Sequence, residues 1–277
     1  MVNEAYSVLM SVYKKEIPKY LYESLISMLN QTIKPAEIVL VKDGELTQEL
    51  EDVLEQFKNE PIIKIVSLSE NKGLGEALNI GLENCNYELV ARMDTDDISR
   101  SDRCEKQLEM FNKNRLLSIV SSTVAEFSTD IDNINSLKRL PTKHEDIIKF
   151  SKKRNPFNHP AVMFKKSVVQ KSGGYKHFQF FEDYYLWVRM IMSGAYCANI
   201  NEPLVYMRAN SNMYKRRGGI TYLKCIAKFR WHLKIIGFTK IDEFLLSLIG
   251  QSIVAIFPNK TRMLFYRKFL RKINMDV

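Results

Sequence analysis

Roughly the first ninety-five residues alternate short apolar runs with segments of helical spacing, and this alternation limits the possible folds more than any other feature of the chain. Val8-Leu9-Met10-Ser11-Val12 is strand-like, and Pro18 then opens a stretch in which Leu21, Leu25, Met28 and Leu29 recur at i, i+4, i+7 and i+8. Ile38 to Val41 repeats the strand signal, followed by the helical stripe Leu50, Val53, Leu54 and Phe57. Ile62 to Val66 makes a third strand, with Leu74, Ala77, Leu78 and Leu82 on a helix starting near Gly75, and Glu88 to Met93 makes a fourth. Strands and helices in such short units predict parallel pairing through right-handed crossovers, with helices on both sheet faces. In open sheets of this kind ligands bind beyond the carboxyl ends of the strands. Three segments stand out there: Asp43-Gly44, Ser69 to Gly73, and Asp94 to Asp97.

After Asp97 the alternation fades. A helix carrying Leu108 and Phe111 is expected from near Asp102, a β-rich stretch over Leu117 to Phe127, a short strand over Ala161 to Phe164, and a helix from Asp183 to Ser193 with Leu186, Val188, Met190 and Ile191 inside. Near Asn210 the composition turns basic and helical, which divides the chain into a body (1–210) and an extension (211–277). Residues 201–277 carry 15 basic against 4 acidic side chains, whereas residues 1–200 carry 26 against 28. Aromatic residues such as Tyr222, Phe229, Trp231 and Phe238 are interleaved with those charges, a mixture suited to a lipid headgroup boundary as well as to a nucleic-acid backbone. A solvated basic face over an ordinary helical unit is the plainer alternative. The longest uncharged run, Phe244 to Phe257, is too short and too polar to span a bilayer and reads as an in-plane or core-packed helix.

With 45% apolar and 26% charged residues over 277 positions, the chain is globular rather than disordered. Its four cysteines form no C-x-x-C pair, and the first ten residues lack a charged leader and a long apolar stretch, so a reduced, cytoplasmic protein is expected. The P-loop, H-E-x-x-H and G-x-S-x-G patterns are missing, and Gly73-Leu74-Gly75 begins a G-x-G-x-x-G that ends in Leu78.

Two acidic clusters carry chemistry. Asp94-Thr95-Asp96-Asp97 closes a buried strand; in extended chain Asp94 and Asp96 point the same way and can share one hard cation, while Asp97 points elsewhere. The alternative is that Asp97 or Ser99 caps the next helix. Glu182-Asp183 is hemmed by Phe178, Phe180, Phe181, Tyr184 and Tyr185, a setting that raises proton affinity and suits a general base, although an N-cap role fits the same position. His159, in Asn158-His159-Pro160, can position a phosphate or the base, or be a satisfied structural residue.

Taken in order, SVLMSVYKKEIPKYLYESLISMLNQTIKPAEIVLVKDG, ENKGLGEALNIGL, ELVARMDTDDISRSDRCEKQ, NHPAVMFKK, GGYKHFQFFEDYYLWVRM and EPLVYMR resemble the family 2 inverting nucleotide-sugar glycosyltransferases. The resemblance covers roughly residues 6–208 and extends to bacterial glycosyltransferases of capsule, O-antigen and exopolysaccharide assembly, including the amylovoran-biosynthesis-like group. It implies an α/β GT-A fold, a Rossmann-like, mostly parallel nucleotide-binding sheet, here followed by a basic helical extension. It further implies that Asp43 reads the uracil of a UDP-sugar, that Val12 and Tyr13 line the base pocket, and that Asn71, Lys72 and Arg92 lie near the nucleotide and its phosphates. Asp94 and Asp96 match the D-x-D motif, with Asp96 the direct ligand of Mn²⁺ or Mg²⁺ and Asp94 shared between metal and ribose. Asp183 matches the catalytic base, supported by Glu182 and His159, and Arg208 approaches the diphosphate. Lys42 departs from the family's more acidic phrase at that point.

The function so implied is metal-dependent, inverting transfer of a hexose, galactose or glucose, from a UDP-sugar to an undecaprenyl-diphosphate-linked saccharide in surface polysaccharide assembly. The basic extension then has a rationale at the cytoplasmic face of the bacterial inner membrane, as a peripheral anchor that binds no nucleic acid. A sugar nucleotidyltransferase and a non-enzymatic basic binding module are the competing readings.

Overall fold

The strand and helix alternation is realised as a parallel half-sheet sandwiched between helices. In the computed structural model, which describes residues 5–209 and 215–266, β1 (Tyr6–Val12), β2 (Glu37–Lys42), β3 (Ile63–Ser67) and β4 (Leu89–Arg92) are linked by α1 (Pro18–Leu29), α2 (Gln48–Gln56) and α3 (Leu74–Asn84). The four strands run parallel in the order β3-β2-β1-β4. On one face Leu21, Leu25, Leu50 and Leu54 from α1 and α2 bury Val8, Met10, Ile38 and Leu40; on the other Leu78 and Leu82 of α3 bury Leu9 and Val39. The close approach of α3 depends on Gly81, where a Cβ would stand 2.4 Å from Leu9 Cδ1 and 2.7 Å from Val41 Cγ2. The chain builds outward from β1 to β3 and returns to β1's other side for β4. The crossovers therefore reverse direction between β1 and β4, and the carboxyl ends of these strands frame a crevice.

Beyond β4 the sheet continues β8-β6-β9-β5. β8 (Met163–Lys165) is antiparallel to β4 and to β6 (Leu117–Phe127), which in turn is parallel to β9 (Tyr196–Arg208). The short β5 (Ile98–Ser99) pairs with the far end of β9, and β7 (Ile134–Lys138) makes a hairpin with β6. Helices α4 (Arg103–Lys113), α5 (His144–Ser151), α6 (Lys166–Lys171) and α7 (Glu182–Met192) complete the body. The strand expected from Ala161 starts at Met163 instead, because His159–Ala161 form a 3-10 turn with Pro160 inside it.

Three helices follow: α8 (Gly219–Ile235), α9 (Ile241–Ile256) and α10 (Asn259–Phe265). The boundary expected near Asn210 lies outside the described residues. The helices pack on α7, with the Phe229 ring stacked on Phe181 at 4.5 Å and tilted against Tyr184 at 4.9 Å. Ile226, Leu233, Phe238 and Ala255 enclose the same small core. Buried Arg230 of α8 stitches this unit to the body by donating to the carbonyls of Lys152 and Lys153 (3.1 and 2.6 Å), and it is held in place by a further bond to Gln251 Oε1 of α9 (3.2 Å). The apolar run Phe244 to Phe257 forms most of α9, and Phe244 and Ala255 are buried on it. No helix among the described residues is long and apolar enough to cross a membrane. All four cysteines are unpaired.

Candidate active site

At the carboxyl ends of β1 and β2, buried Asp43 organises the loop that leads into α3. Its Oδ1 accepts the Lys72 N–H at 2.7 Å; its Oδ2 accepts Asn71 Nδ2 at 2.9 Å and the Gly73 N–H at 3.1 Å. A carboxylate offers about four acceptor sites, so Oδ1 keeps a lone pair for one further donor. Gly44 is indispensable to this arrangement. It has φ +85°, and a Cβ there would lie 2.7 Å from the Asn71 nitrogen. Val12 is buried and its carbonyl accepts the Asp43 N–H at 2.8 Å, while Tyr13 is exposed beside it. Asn71 and Lys72 are exposed, although the Asn71 amide turns back onto Asp43. Lys42 pairs with Glu51 of α2, away from this cluster.

Past β4, residues 94–97 turn rather than continue extended. The strand alternation that would send Asp97 away therefore does not apply, and oxygens of Asp94, Asp96 and Asp97 all lie within 4.8 Å of one another. Two oxygens on opposite sides of a Mg²⁺ or Mn²⁺ ion are about 4.2 Å apart at bond lengths of about 2.1 Å, so this donor set fits a hard divalent cation. Asp97 caps no helix; it is buried and accepts the Arg208 N–H at 2.8 Å. Burial, then Asp94 and Glu16, push the Asp96 carboxyl up to about 7; burial and the neighbouring Asp96 and Asp94 push Asp97 in the same direction. Glu16 reaches this turn through Thr95, whose Oγ1 donates to Glu16 Oε2 at 2.7 Å. Arg92 is fully buried and pairs with Asp94, yet its Nε and Nη1 have no protein partner among the described residues. A buried guanidinium with donors to spare beside a carboxylate turn fits an anionic oxygen ligand such as a diphosphate.

The second acidic cluster opens α7. Asp183 Oδ2 accepts Asn155 Nδ2 at 2.7 Å and Oδ1 accepts the Tyr184 N–H at 2.6 Å. The helix cap is Phe181, so Asp183 stands one position inside the first turn instead of serving as the cap. Burial raises its proton affinity, and the Asn155 hydrogen bond opposes that rise. Glu182 is also raised by burial. His159 is half-buried on the cavity wall, its Nε2 is 3.0 Å from the Tyr175 hydroxyl, and its ring lies edge-on to Trp187 at 5.9 Å. Burial, helped by Arg92 and Lys138, holds this imidazole well below its usual range, so it is neutral.

A cavity of about 600 Å³ brings Asp94, Asp96, Asp97, His159, Asp183 and Arg208 together on its walls. An adjoining pocket shares His159 and Asp183 and adds Glu182, Tyr175 and Gly75. The Asp43, Asn71 and Lys72 cluster lines neither, standing along the sheet edge with Val12 and Tyr13. The Arg208 guanidinium lies 4.0 Å over the Tyr20 ring and 4.8 Å over that of Phe127 and pairs with Glu23, which ties α1 to β9. Asn155, Tyr175 and Glu16 escaped sequence reasoning, and Asp97 was read as pointing away from the cluster it joins. The polar Asn155-Pro156-Phe157-Asn158 phrase ahead of His159 was the one available signal for Asn155.

Residues 7–171 match glycosyl transferase family 2. This chain belongs to that family. The glycosyltransferase is 38% identical over 267 residues to an Escherichia coli UDP-Gal:alpha-D-GlcNAc-diphosphoundecaprenol beta-1,3-galactosyltransferase, covering 96% of this chain and 97% of the relative. It is also 38% identical over 266 residues to the amylovoran biosynthesis glycosyltransferase AmsE of Erwinia amylovora, covering 95% of this chain and 98% of that protein. Among solved structures, S. aureus TarS residues 1–349 in complex with UDP-GlcNAc superposes with a TM-score of 0.68 at 13% identity, over 95% of this chain and 75% of the other. The glycosyltransferase thus has the GT-A architecture that its sequence predicts.

Proposed function

We propose that this glycosyltransferase moves galactose, with inversion, from UDP-galactose to a GlcNAc-diphosphate-lipid of surface polysaccharide assembly, working at the inner membrane surface. The observation that carries the proposal is that the carboxylate turn Asp94-Asp96-Asp97 and the separate carboxylate Asp183 face one cavity. Similarity along nearly the whole chain to an enzyme named for UDP-Gal and GlcNAc-diphosphoundecaprenol supports the choice of donor and acceptor.

In this reading Asp43 accepts from the base edge of the nucleotide, Val12 and Tyr13 flank the base, and Asn71 and Lys72 close over it. Asp96 and Asp94 hold a divalent ion, with Asp94 also toward the ribose and Arg92 and Arg208 toward the diphosphate. Such an ion, Mn²⁺ or Mg²⁺, supplies Lewis-acid neutralisation of charge on the departing diphosphate when bound. Asp183 takes the proton from the acceptor hydroxyl, whose oxygen bonds to C1 of the sugar as the bond from C1 to the UDP oxygen breaks. Asn155 keeps Asp183 oriented, and neutral His159 adds no competing positive charge beside the base. Glu182 supports Asp183 from the adjoining pocket.

The test offers UDP-galactose, UDP-glucose and UDP-GlcNAc with Mn²⁺ or Mg²⁺ to a short-chain GlcNAc-diphosphate-lipid and scores UDP release. Acceptor-dependent release from UDP-galactose, lowered about 10²-fold or more in Asp183→Asn, is expected. Release of pyrophosphate instead of UDP, or full activity in Asp183→Asn, overturns the reading.

A further inference from the structure

Helix α9 shows three different faces. Ala255 points into the small core shared with α8, and buried Phe244 packs on Trp231 of α8; Ser247, Gly250, Gln251 and Val254 line the active-site cavity. The remaining arc, about 140° wide at 3.6 residues per turn, carries Ile241, Leu245, Leu246, Ile249, Ile253 and Ile256, all between 47% and 69% exposed. Among the described residues of that arc Asp242, in the first turn, is the one charge. An aliphatic face this wide is unusual on a surface in contact with water alone. Leu246 belongs both to the exposed arc and to the cavity wall, so the apolar surface runs without interruption to the mouth of the active site.

The neighbouring helix supplies the complementary charge. On α8, Ile220, Lys224, Lys228, Trp231 and Ile235 recur at three- and four-residue spacing and all are exposed. The Trp231 ring is 49% exposed, leans on Phe244 of α9 at 5.8 Å, and has Lys234 Nζ 5.0 Å from its centre. Lys240 caps α9 and is exposed. Glu243, the other acid of the first turn, is engaged by Lys152 at 2.9 Å. Aliphatic side chains to dip below headgroups, a tryptophan at the boundary and lysines beside it form the pattern of a helix lying in an anionic lipid interface.

We propose that the exposed arc of α9, flanked by Trp231 and the α8 lysines, inserts into an anionic bilayer and sets the cavity mouth against the lipid surface. The inference rests on the lipid-linked acceptor proposed above and adds that attachment is apolar as well as electrostatic. An acceptor diphosphate emerging from the headgroup layer then meets the cavity wall beside Leu246 without leaving the membrane.

The chain's two tryptophans make the experiment direct. Trp187 is inaccessible, so a change in emission on lipid binding reports Trp231. Adding vesicles of phosphatidylglycerol and phosphatidylethanolamine to the full chain, without substrate, is expected to shift the emission to the blue, and Trp231→Phe abolishes the shift. Cosedimentation is expected to weaken at high salt but persist, and Leu245→Gln/Ile249→Gln is expected to reduce partitioning about 10-fold or more. UDP release with a water-soluble GlcNAc-diphosphate acceptor stays as in wild type, because neither residue lines the cavity; this readout separates the membrane inference from the transfer reaction itself. Binding that is lost entirely at high salt, or equal in the double variant, overturns the inference. So does a dimer that the same substitutions dissociate, which would assign the face to a second copy of the chain.

Discussion

The Asn155 to Asp183 hydrogen bond provides the sharpest test of the proposed base. Asp183 sits where burial favours its protonated form, and two donors hold the carboxylate form against that tendency, Asn155 Nδ2 at 2.7 Å and the Tyr184 N–H at 2.6 Å. A hydrogen bond to a charged group contributes about 1.5–3 kcal/mol, and about 1.4 kcal/mol corresponds to one unit of proton affinity. Asn155→Ala removes the side-chain donor and leaves the backbone one, so Asp183 should hold its proton more tightly. The base must be unprotonated, hence activity falls on the acid side, and the variant's acid limb should move toward higher pH by about 1–2 pH units. Above that limb the rate should return to within a few-fold of wild type, because the carboxylate itself is intact. The assay is kcat/KM for UDP release across pH under saturating metal, with circular dichroism confirming the fold. An acid limb in the same place, with a uniformly lowered rate, would show that Asn155 matters for architecture and that Asp183 does not set the pH profile.

Two further outcomes follow from the geometry. Gly44→Ala must place a Cβ 2.7 Å from the Asn71 nitrogen at φ +85°, which should cost about 1–3 kcal/mol of stability and weaken UDP binding, read by thermal melting with and without UDP. His159 is half-buried, and desolvation with Arg92 and Lys138 lowers its proton affinity well below the ordinary imidazole range, so the unfolded chain takes up a proton below about pH 6.5 more readily than the folded chain does. Wild type should therefore lose about 1.4 kcal/mol more than His159→Gln between pH 7.5 and 5.5, measured by urea unfolding; parallel losses in the two proteins would mean that the imidazole is charged in the fold.

The parallel half of the sheet was legible because β1, β2 and β4 are buried on both faces and each helix packs one stripe, so periodicity and burial coincide there; the edge strand β3 is half-exposed and was marked by its Ile-rich run alone. The second half was less so. β9 contains Asn199, Asn201, Glu202 and Pro203 and crosses register shifts against β6, which hides its strand character. β5 is two residues long, and its pairing depends on a segment more than a hundred residues away. Within the candidate site, the residue types of the two acidic clusters were readable, but their geometry was not. Treating residues 94–97 as extended chain sent Asp97 away from the group that the turn brings it to. Tyr175 and Asn155 reach His159 and Asp183 only through tertiary packing, and no spacing in the sequence announces a partner 16 or 28 positions distant.

The Arg230 stitch has a consequence for anyone wishing to retarget this enzyme. The carbonyls it grips belong to Lys152 and Lys153, three and two residues upstream of the Asn155 amide that steadies Asp183. Exchanging the terminal helices for those of another transferase would thus do more than change where the protein lodges. A graft without a guanidinium at that spot would loosen the very loop that holds the proposed base, so on this reading address and turnover are inherited together and chimeras must carry the seam along with the tail.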